Sequence, residues 1–295
     1  MDDPLATWVH TRIRDFCAGP ENSLGNAAAE RAWAEPLIGF AAGDDPLWQA
    51  YKTHVGPEHW TPAEAFALAF PSERAAAAEL SVIVWILPQT AQTKADNRAE
   101  TAYPAERWAR SRIFGEEFNS RLRRHVADSL TAAGHPAVAP HLSPAWARVD
   151  STQFVFSSTW SERHAAYAAG LGTFGLCDGL ITPAGKAVRV GSVVARISLP
   201  PTPRPYTHHR AYCTFYLDGS CGECIARCPA GALTAAGHDK RKCEAYVSST
   251  RPYVQAQFGF AGYGCGLCQT GVPCESEIPW AVRDRGVAAD HARAA

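Results

Sequence analysis

Nothing in this 295-residue sequence is long and apolar enough to span a bilayer. The longest strand-like run, SVIVWIL at 81–87, stops at a proline. Neither charge is in excess. With 28 Lys and Arg against 29 Asp and Glu, the net charge is −1, which removes the broad basic field that nucleic acid or an anionic membrane calls for. The opening MDDPLATWVHTRIRDF has neither a positively charged leader with an apolar core nor a twin-arginine signal, so a cytoplasmic protein is expected. What remains is a globular composition, 46% hydrophobic and 19% charged, long enough for one large or two ordinary domains.

Cysteine is what the sequence does have. Eight of its ten cysteines fall between 213 and 274: Cys213, Cys221, Cys224, Cys228, Cys243, Cys265, Cys268 and Cys274. A Cys-x-x-Cys pair, a third Cys three residues on and a following proline is the run that wraps a four-iron cluster. It occurs here as Cys221, Cys224, Cys228 and Pro229, and in looser form at 265–274. In such runs the Cys before the proline crosses to the neighbouring cluster. On that pattern Cys213, Cys221, Cys224 and Cys274 hold one cluster, and Cys228, Cys243, Cys265 and Cys268 the other. The gaps between Cys213 and Cys221 and between Cys268 and Cys274 are irregular. Glycines 219, 222, 231, 264, 266 and 271 suit close backbone approach to an inorganic core. Zinc is the competing reading of paired Cys-x-x-Cys motifs. The Cys-Pro-Ala-Gly-Ala-Leu ending at 228–233 speaks for iron and sulfide, and the absence of a secretory leader speaks against a disulfide framework.

Along the rest of the chain, Thr61 and Pro62 read as the N-cap and first residue of a helix. A second helix is expected over Ser72–Leu80, leading into the strand 81–87, which its continuous apolar character would bury on both faces of a mixed or parallel sheet. Residues 89–100 read as a polar loop. From Glu106 to Ala133, Phe114, Phe118, Leu122, Val126 and Leu130 form one helical stripe, ended by Gly134 and Pro136. Arg107, Arg110, Arg112, Arg121, Arg123 and Arg124 lie around it, as a solvated face or as an anion site. A helix from Ser161, a glycine-lined turn and strands over Val188–Leu199 follow. The Pro-rich stretch 199–206 then links a front domain (1–204) to a cluster domain (205–280), and 281–295 reads as a polar tail.

The apolar strand with its proline, the Ala169-Gly170-Leu171-Gly172 turn with Phe174 and Gly175, the strand at 191–194, and the cysteine segments 228–232 and 264–269 together resemble one family. It is that of epoxyqueuosine reductase and the cobalamin-dependent reductive dehalogenases. The resemblance covers roughly 80–280. It implies an α+β architecture, with a nitroreductase-like α/β front domain followed by a ferredoxin-like domain carrying two four-iron clusters. It also implies cobalamin held against the glycine-rich segment. Ser157, Ser158, Thr159, Gly172, Thr173, Phe174 and Gly175 are the residues of the right type to hold it.

Three departures stand out. The acid that the reductase carries ahead of its Ala-Gly-Leu-Gly turn is missing near Phe156 or Ser157. The helical repeats that contribute to tRNA binding are not found after the clusters. Leu176, Cys177 and Asp178 replace the reductase's Lys and Asn. Epoxyqueuosine in tRNA is therefore a less expected substrate than a small molecule, cleaved reductively at C–O or C–halogen. Ferredoxin or flavodoxin would be the electron donor. Cys177, Asp178 and Glu162 are the candidate proton donors, with Tyr167 and Lys186 also near the turn. His164, His208 and His209 are possible metal ligands, though isolated histidines more often make ordinary hydrogen bonds. A flavin (FMN) in the front domain, or an electron carrier without its own substrate, are the alternatives.

Overall fold

The computed structural model describes residues 3–151 and 154–285. The front half runs α1 (Pro4–Ala18), β1 (Leu37–Ala42), α2 (Leu47–His54), α3 (Pro62–Ala69), β2 (Leu80–Pro88), α4 (Ala91–Ala99), α5 (Glu106–Ala132) and β3 (Ala137–Val138). It continues with β4 (Arg148–Ser151), β5 (Val155–Ser158), α6 (Glu162–Ala168), β6 (Thr173–Phe174), β7 (Leu180–Ile181) and β8 (Val188–Arg196). The cysteine-rich half holds α7 (Thr214–Asp218), α8 (Glu223–Ala226), β9 (Leu233–Thr234), β10 (Gly237–His238), α9 (Lys240–Ser249), α10 (Arg251–Phe258) and α11 (Trp280–Arg283). Among the described residues no helix is long and apolar enough to cross a membrane.

The organising layer is a sheet of order β1-β2-β8-β3. All nine residues of β2 are buried, as its apolar run requires. The sheet is antiparallel throughout, not mixed or parallel as expected. A strand covered on both faces carries the same apolar signature in either orientation, so the sequence pattern does not distinguish them. Period-two alternation divides β2 between two cores. Ile83, Trp85 and Leu87 face α1 and α5, meeting Val9, Ile13, Phe118, Leu122, Val126 and Leu130. Val82, Val84 and Ile86 face the other side, in a core shared with Trp160, Tyr206, Tyr212, Cys213 and Leu233. Burial of each such large side chain is worth about 1.5–3 kcal/mol.

Several local expectations hold. Thr61 caps α3 in a reciprocal box with Glu64, and α5 ends at Ala133 before Gly134, whose φ is 88°. Others need correction. Residues 72–80 do not form a helix; only a single 3-10 turn, Ala77–Glu79, precedes β2. The segment has no apolar stripe to hold a helix, and only Ala75 of its alanines packs against the core. The expected loop 89–100 is instead α4, capped by Thr90. The Pro-rich link is pinned: Phe40 N donates to Thr202 Oγ1 (2.9 Å), Thr202 N to the Phe40 carbonyl (2.9 Å), and Tyr206 Oη to the Tyr167 carbonyl (2.8 Å). The expected boundary near 204 therefore runs through a shared core. In the expected tail, Trp280–Arg283 is helical and Arg285 pairs with Asp218. Residues 286–295 lie outside the described residues.

Candidate cysteine centre

Four cysteines face one cavity of about 220 Å³: Cys228, Cys243, Cys265 and Cys268. Each is held by a different device. Cys228 follows α8, and its Sγ accepts a hydrogen bond from Ala232 N (3.3 Å). Cys243 rides on α9, whose start Asp239 caps through Lys242 N (3.0 Å). Cys265 and Cys268 flank Gly266, whose φ is 68° and where an added Cβ would lie 1.9 Å from Trp108. Only glycine satisfies both demands. The same loop is tied to α4, where Asn97 donates to the Cys265 carbonyl (3.3 Å) and to Thr270 Oγ1 (3.1 Å). Arg227 adds donors to the carbonyls of Asn97, Arg98, Leu267 and Thr270.

A second group gathers Cys213, Cys224 and Cys274, all buried. Burial first, and then the neighbouring thiols, push Cys224 up to about 12 and Cys274 up to about 11 against the pull of Lys186. Cys265 of the first group is likewise pushed up to about 11 by burial. Buried thiols this reluctant to ionise become thiolates readily only beside a strong positive centre, and a metal supplies one. Among the described residues no group of three or more His, Cys, Asp and Glu is arranged to hold a single metal ion. A cubane asks for something else. Each thiolate binds its own iron, so the four stand apart around a core rather than converging on a point. The cavity lined by Cys228, Cys243, Cys265 and Cys268 is where such a core could be held. Cys221 is partly exposed beside α8; the electrostatic contacts of Cys224 and Cys274 run to Cys213 and Cys177.

Cys177 and Lys186 lie against both groups. Lys186 is 3% exposed, its backbone N–H donates to the Cys274 carbonyl (2.8 Å), and its methylenes and the Cys177 sulfur both border Gly179. Burial pulls its ammonium down, but Cys177, Cys274, Cys268 and Cys224 outweigh that and hold it well above the usual lysine range.

The candidate proton donors are set differently. Glu162 is enclosed, bonded to Arg123 Nε (2.9 Å) and Ser192 Oγ, and burial raises its carboxyl despite that arginine. Asp178 has a φ of 57° and its carboxylate faces His238 Nδ1 at 3.0 Å. His238 and Arg163 overcome burial and hold it low. Because His238 also lines the cavity, Asp178 is brought to the rim of the cysteine centre while Glu162 is not. His164 is buried with Nδ1 on Ser161 Oγ (2.7 Å) and packs on Tyr51 and Phe174.

The expected cofactor-binding residues are spent on internal contacts. Ser158 Oγ donates to the Trp160 carbonyl (2.9 Å), Thr159 Oγ1 accepts from Ala147 N (3.0 Å), and Thr173 Oγ1 accepts from Tyr212 N (2.8 Å). Gly175 N donates to the Gly179 carbonyl (2.8 Å), and Phe174 packs on His164 and Tyr167. Ser157 sits in β5, near Gly56. The bare side of Gly172 is filled by the Ile181 carbonyl, 2.3 Å from where a Cβ would be. In this arrangement the hydroxyls of Ser158, Thr159 and Thr173 are already engaged within the chain.

Sequence reasoning missed the other residues of the cavity. Trp33, Gln89, Trp108, Ser111, Arg112 and Arg189 line it together with the cysteines. Gln89 Nε2 donates to Ser111 Oγ (2.8 Å), but its buried Oε1 has no partner. Arg189 Nε is 3.1 Å from Glu116 yet out of line for a hydrogen bond. Of the arginines on α5, Arg107 pairs with Glu30 and Asp96, Arg110 with Glu106, and Arg123 is buried between Glu116 and Glu162. Arg121 reaches the Glu21 carbonyl (3.1 Å), and only Arg112 of the set reaches the cavity. The solvated-face expectation therefore fails for Arg123.

No protein-family model matches the chain. It is similar to the epoxyqueuosine reductase of Bacillus anthracis, 31% identical over 131 residues that make up 42% of this chain and 32% of that protein. The epoxyqueuosine reductase of Staphylococcus aureus is 29% identical over 168 residues, 54% of this chain and 39% of the relative. The matches thus span roughly a third of these relatives' length, and they bear out the resemblance read from the sequence. Among solved structures, epoxyqueuosine reductase with an epoxyqueuosine-modified tRNA-Tyr stem loop aligns with a TM-score of 0.47 at 18% identity, covering 92% of this chain and 68% of that one. A catabolic reductive dehalogenase aligns at 0.46 and 16%, covering 84% and 31%.

Proposed function

We propose that this chain is an iron–sulfur oxidoreductase carrying two four-iron clusters, acting as a reductase on a small molecule. The observation that carries the reading is that Cys228, Cys243, Cys265 and Cys268 all line one cavity. The similarity to epoxyqueuosine reductases supports the reductase class. Cys213, Cys224 and Cys274 would hold the other cluster, with Cys221 or Cys177 completing the set. When bound, the clusters supply electrons one at a time, delivered by a ferredoxin or flavodoxin in a reducing compartment such as the cytoplasm. The chain's own residues then divide the remaining work. Trp33 and Trp108 exclude water from the cysteine centre, while Arg112 and Arg189 favour an anionic acceptor beside it. Gln89 Oε1 accepts a hydrogen bond from that acceptor. His238, paired with Asp178, stands at the rim to deliver a proton to a reduced carbon centre left by C–O or C–halogen cleavage.

No step is assigned to cobalamin, because the segment that would cradle it is committed to internal contacts. A second reading, an electron carrier with no substrate of its own, is favoured by the small volume of the cavity. The test is cofactor analysis of protein purified without oxygen from a host supplied with cobalamin. The expected result is about eight irons with matching sulfide per chain and no corrinoid. A stoichiometric corrinoid would return the chemistry to cobalt, bound flavin would favour hydride chemistry, and zinc in place of iron would overturn the cluster reading.

A further inference from the structure

We propose that an arginine-lined groove beside α5 is the port through which a small anionic acceptor reaches the cysteine cavity, with Arg112 and Tyr263 as its gate. The inference deepens the reductase reading above and rests on it. Two hollows lie against α5. One is the cavity that the four cysteines line. The other is a surface groove of about 430 Å³, lined by Arg112, Glu116, Glu117, Arg121 and Arg124 of α5 and by Tyr263. Arg112 lines both. The loop before Cys265 changes sides between neighbouring residues: Tyr263 faces the groove, and Gly264 and Cys265 face the cavity. At that point Arg112 Nη2 donates to Tyr263 Oη (3.1 Å), and its guanidinium carbon lies 5.0 Å from the ring centre.

The charges of the groove favour an anion. Arg124 is exposed and makes no ion pair among the described residues, and Arg121 spends one nitrogen on the Glu21 carbonyl (3.1 Å). Of the two carboxylates, Glu116 is already neutralised by Arg123 (2.9 Å) and Arg189 (3.1 Å), which leaves Glu117 alone against the arginines. Such a surface concentrates small anions and repels cations. Inside the cavity Arg189 continues the selection, and Gln89 adds a second demand. Ser111 Oγ gives its one proton to the Trp108 carbonyl (2.9 Å) and so accepts from the Gln89 amide nitrogen (2.8 Å). The free end of that amide is therefore its buried, unpartnered Oε1. An anion that also carries an O–H or N–H satisfies it.

The gate is hung on side chains. Among the described residues Phe260, Ala261, Gly262 and Tyr263 make no backbone–backbone hydrogen bond. Phe260 leans on Arg110 (4.7 Å to the ring centre) and on Phe114 (5.5 Å between centres), and Tyr263 also meets Arg251 (4.1 Å). Before this segment Gly259 ends α10 at a φ of 74°. After it Gly264 N donates to Thr250 Oγ1 (3.1 Å). A segment anchored at both ends without ladder bonds between them opens by giving up a few arginine–ring contacts, each worth about 0.5–1 kcal/mol.

The test is anaerobic stopped-flow reduction of the whole chain, once iron, sulfide and visible absorption show the clusters loaded. Two reductants of opposite charge are compared: dithionite, which acts through the sulfur dioxide radical anion, and the methyl viologen radical cation. Arg124→Glu is expected to slow dithionite by about tenfold at low salt and to speed viologen, both effects fading as salt is raised. Glu117→Gln should speed dithionite. Tyr263→Ala should speed both reductants, with Tyr263→Phe, which loses only the bond to Arg112, falling between it and the wild type. Glycolate should slow dithionite at lower concentration than propionate, which is near it in size and lacks the hydroxyl. In loaded protein, an unchanged ratio of the two rates in Arg124→Glu would overturn the port. Tyr263→Phe no faster than wild type, or loss of iron in both Tyr263 variants, would overturn the gate, and equal protection by the two acids would overturn the demand for a donor. Wild-type protein without iron–sulfur absorption would overturn the cluster reading itself, and this inference with it.

Discussion

Arg123→Met isolates the buried charge network beneath the front sheet. The guanidinium is 1% exposed. It donates Nε to Glu162 (2.9 Å), Nη1 to Glu116 (2.9 Å) and Nη2 to the Val190 carbonyl (3.0 Å). Methionine keeps most of the stem volume but none of these bonds. Glu116 retains Arg189 at 3.1 Å, so the orphan is Glu162, left with Ser192 as its partner. Removing one member of a buried pair costs about 3–5 kcal/mol. At about 2–4 °C per kcal/mol, thermal unfolding of the cluster-loaded protein should shift down by about 6–20 °C. Glu162 is already raised by burial, and without Arg123 it would rise further. A carboxyl raised in the folded state binds protons that the unfolded chain gives up, so its penalty grows with pH. The deficit should therefore be largest at neutral pH and narrow as the pH falls. Adding Glu162→Gln removes the stranded charge and should recover part of the loss. A shift within about 1 kcal/mol of wild type, or strict additivity of the two substitutions, would refute the reasoning.

Three further outcomes are expected. His59 is 1% exposed, and burial holds its ring down at about 4. Between the ordinary pKa of about 6.5 and that value the unfolded chain binds more protons, so stability falls as pH falls, by about 2 kcal/mol at pH 5. Denaturant titrations should show that pH slope flattened in His59→Gln. Gly266→Ala puts a methyl group against Trp108 at a φ of 68°, and iron analysis should find about half the metal lost because Cys265 and Cys268 are displaced. Cys243→Ser should likewise lose about half the iron, read by the same assay, with the other cluster's spectrum intact.

What the sequence made legible follows from how local each signal is. Strand 81–87 and the α5 stripe announce themselves because apolar periodicity is a property of neighbouring residues. The cysteines stood out as a group because their spacing is a local pattern, and four of them line one cavity. Helix α4 was not, because its inward face is polar: Thr93 and Asn97 are fully buried, Thr93 bonding its own cap Thr90 and Asn97 reaching Thr270. Hydropathy therefore reads a helix as a loop. The arginines of α5 were read by charge density alone, whereas their partners Glu30, Asp96 and Glu162 lie far off in sequence. Lys186 stood near the glycine-rich turn as one proton-donor candidate among several. Its meeting with Cys274 spans some 80 residues and leaves no local trace.

These long-range contacts decide how the two halves relate. The loops that carry Cys265, Cys268 and Cys274 rest on front-half elements. Trp108 of α5 lies under Gly266, Asn97 and Arg98 of α4 hold Cys265, Thr270 and Glu275, and the turn before β8 holds Cys274 through Lys186. The core that includes Val82 and Ile86 of the central strand also includes Tyr212, Cys213 and Leu233. Such packing does not allow one half to swing against the other without opening a close-packed interior. The electron transfer and proton delivery proposed above would depend on fixed separations, which a shared core provides at the cost of modular independence. The front half is therefore a scaffold on which the cysteine centre is built, rather than a domain tethered beside it.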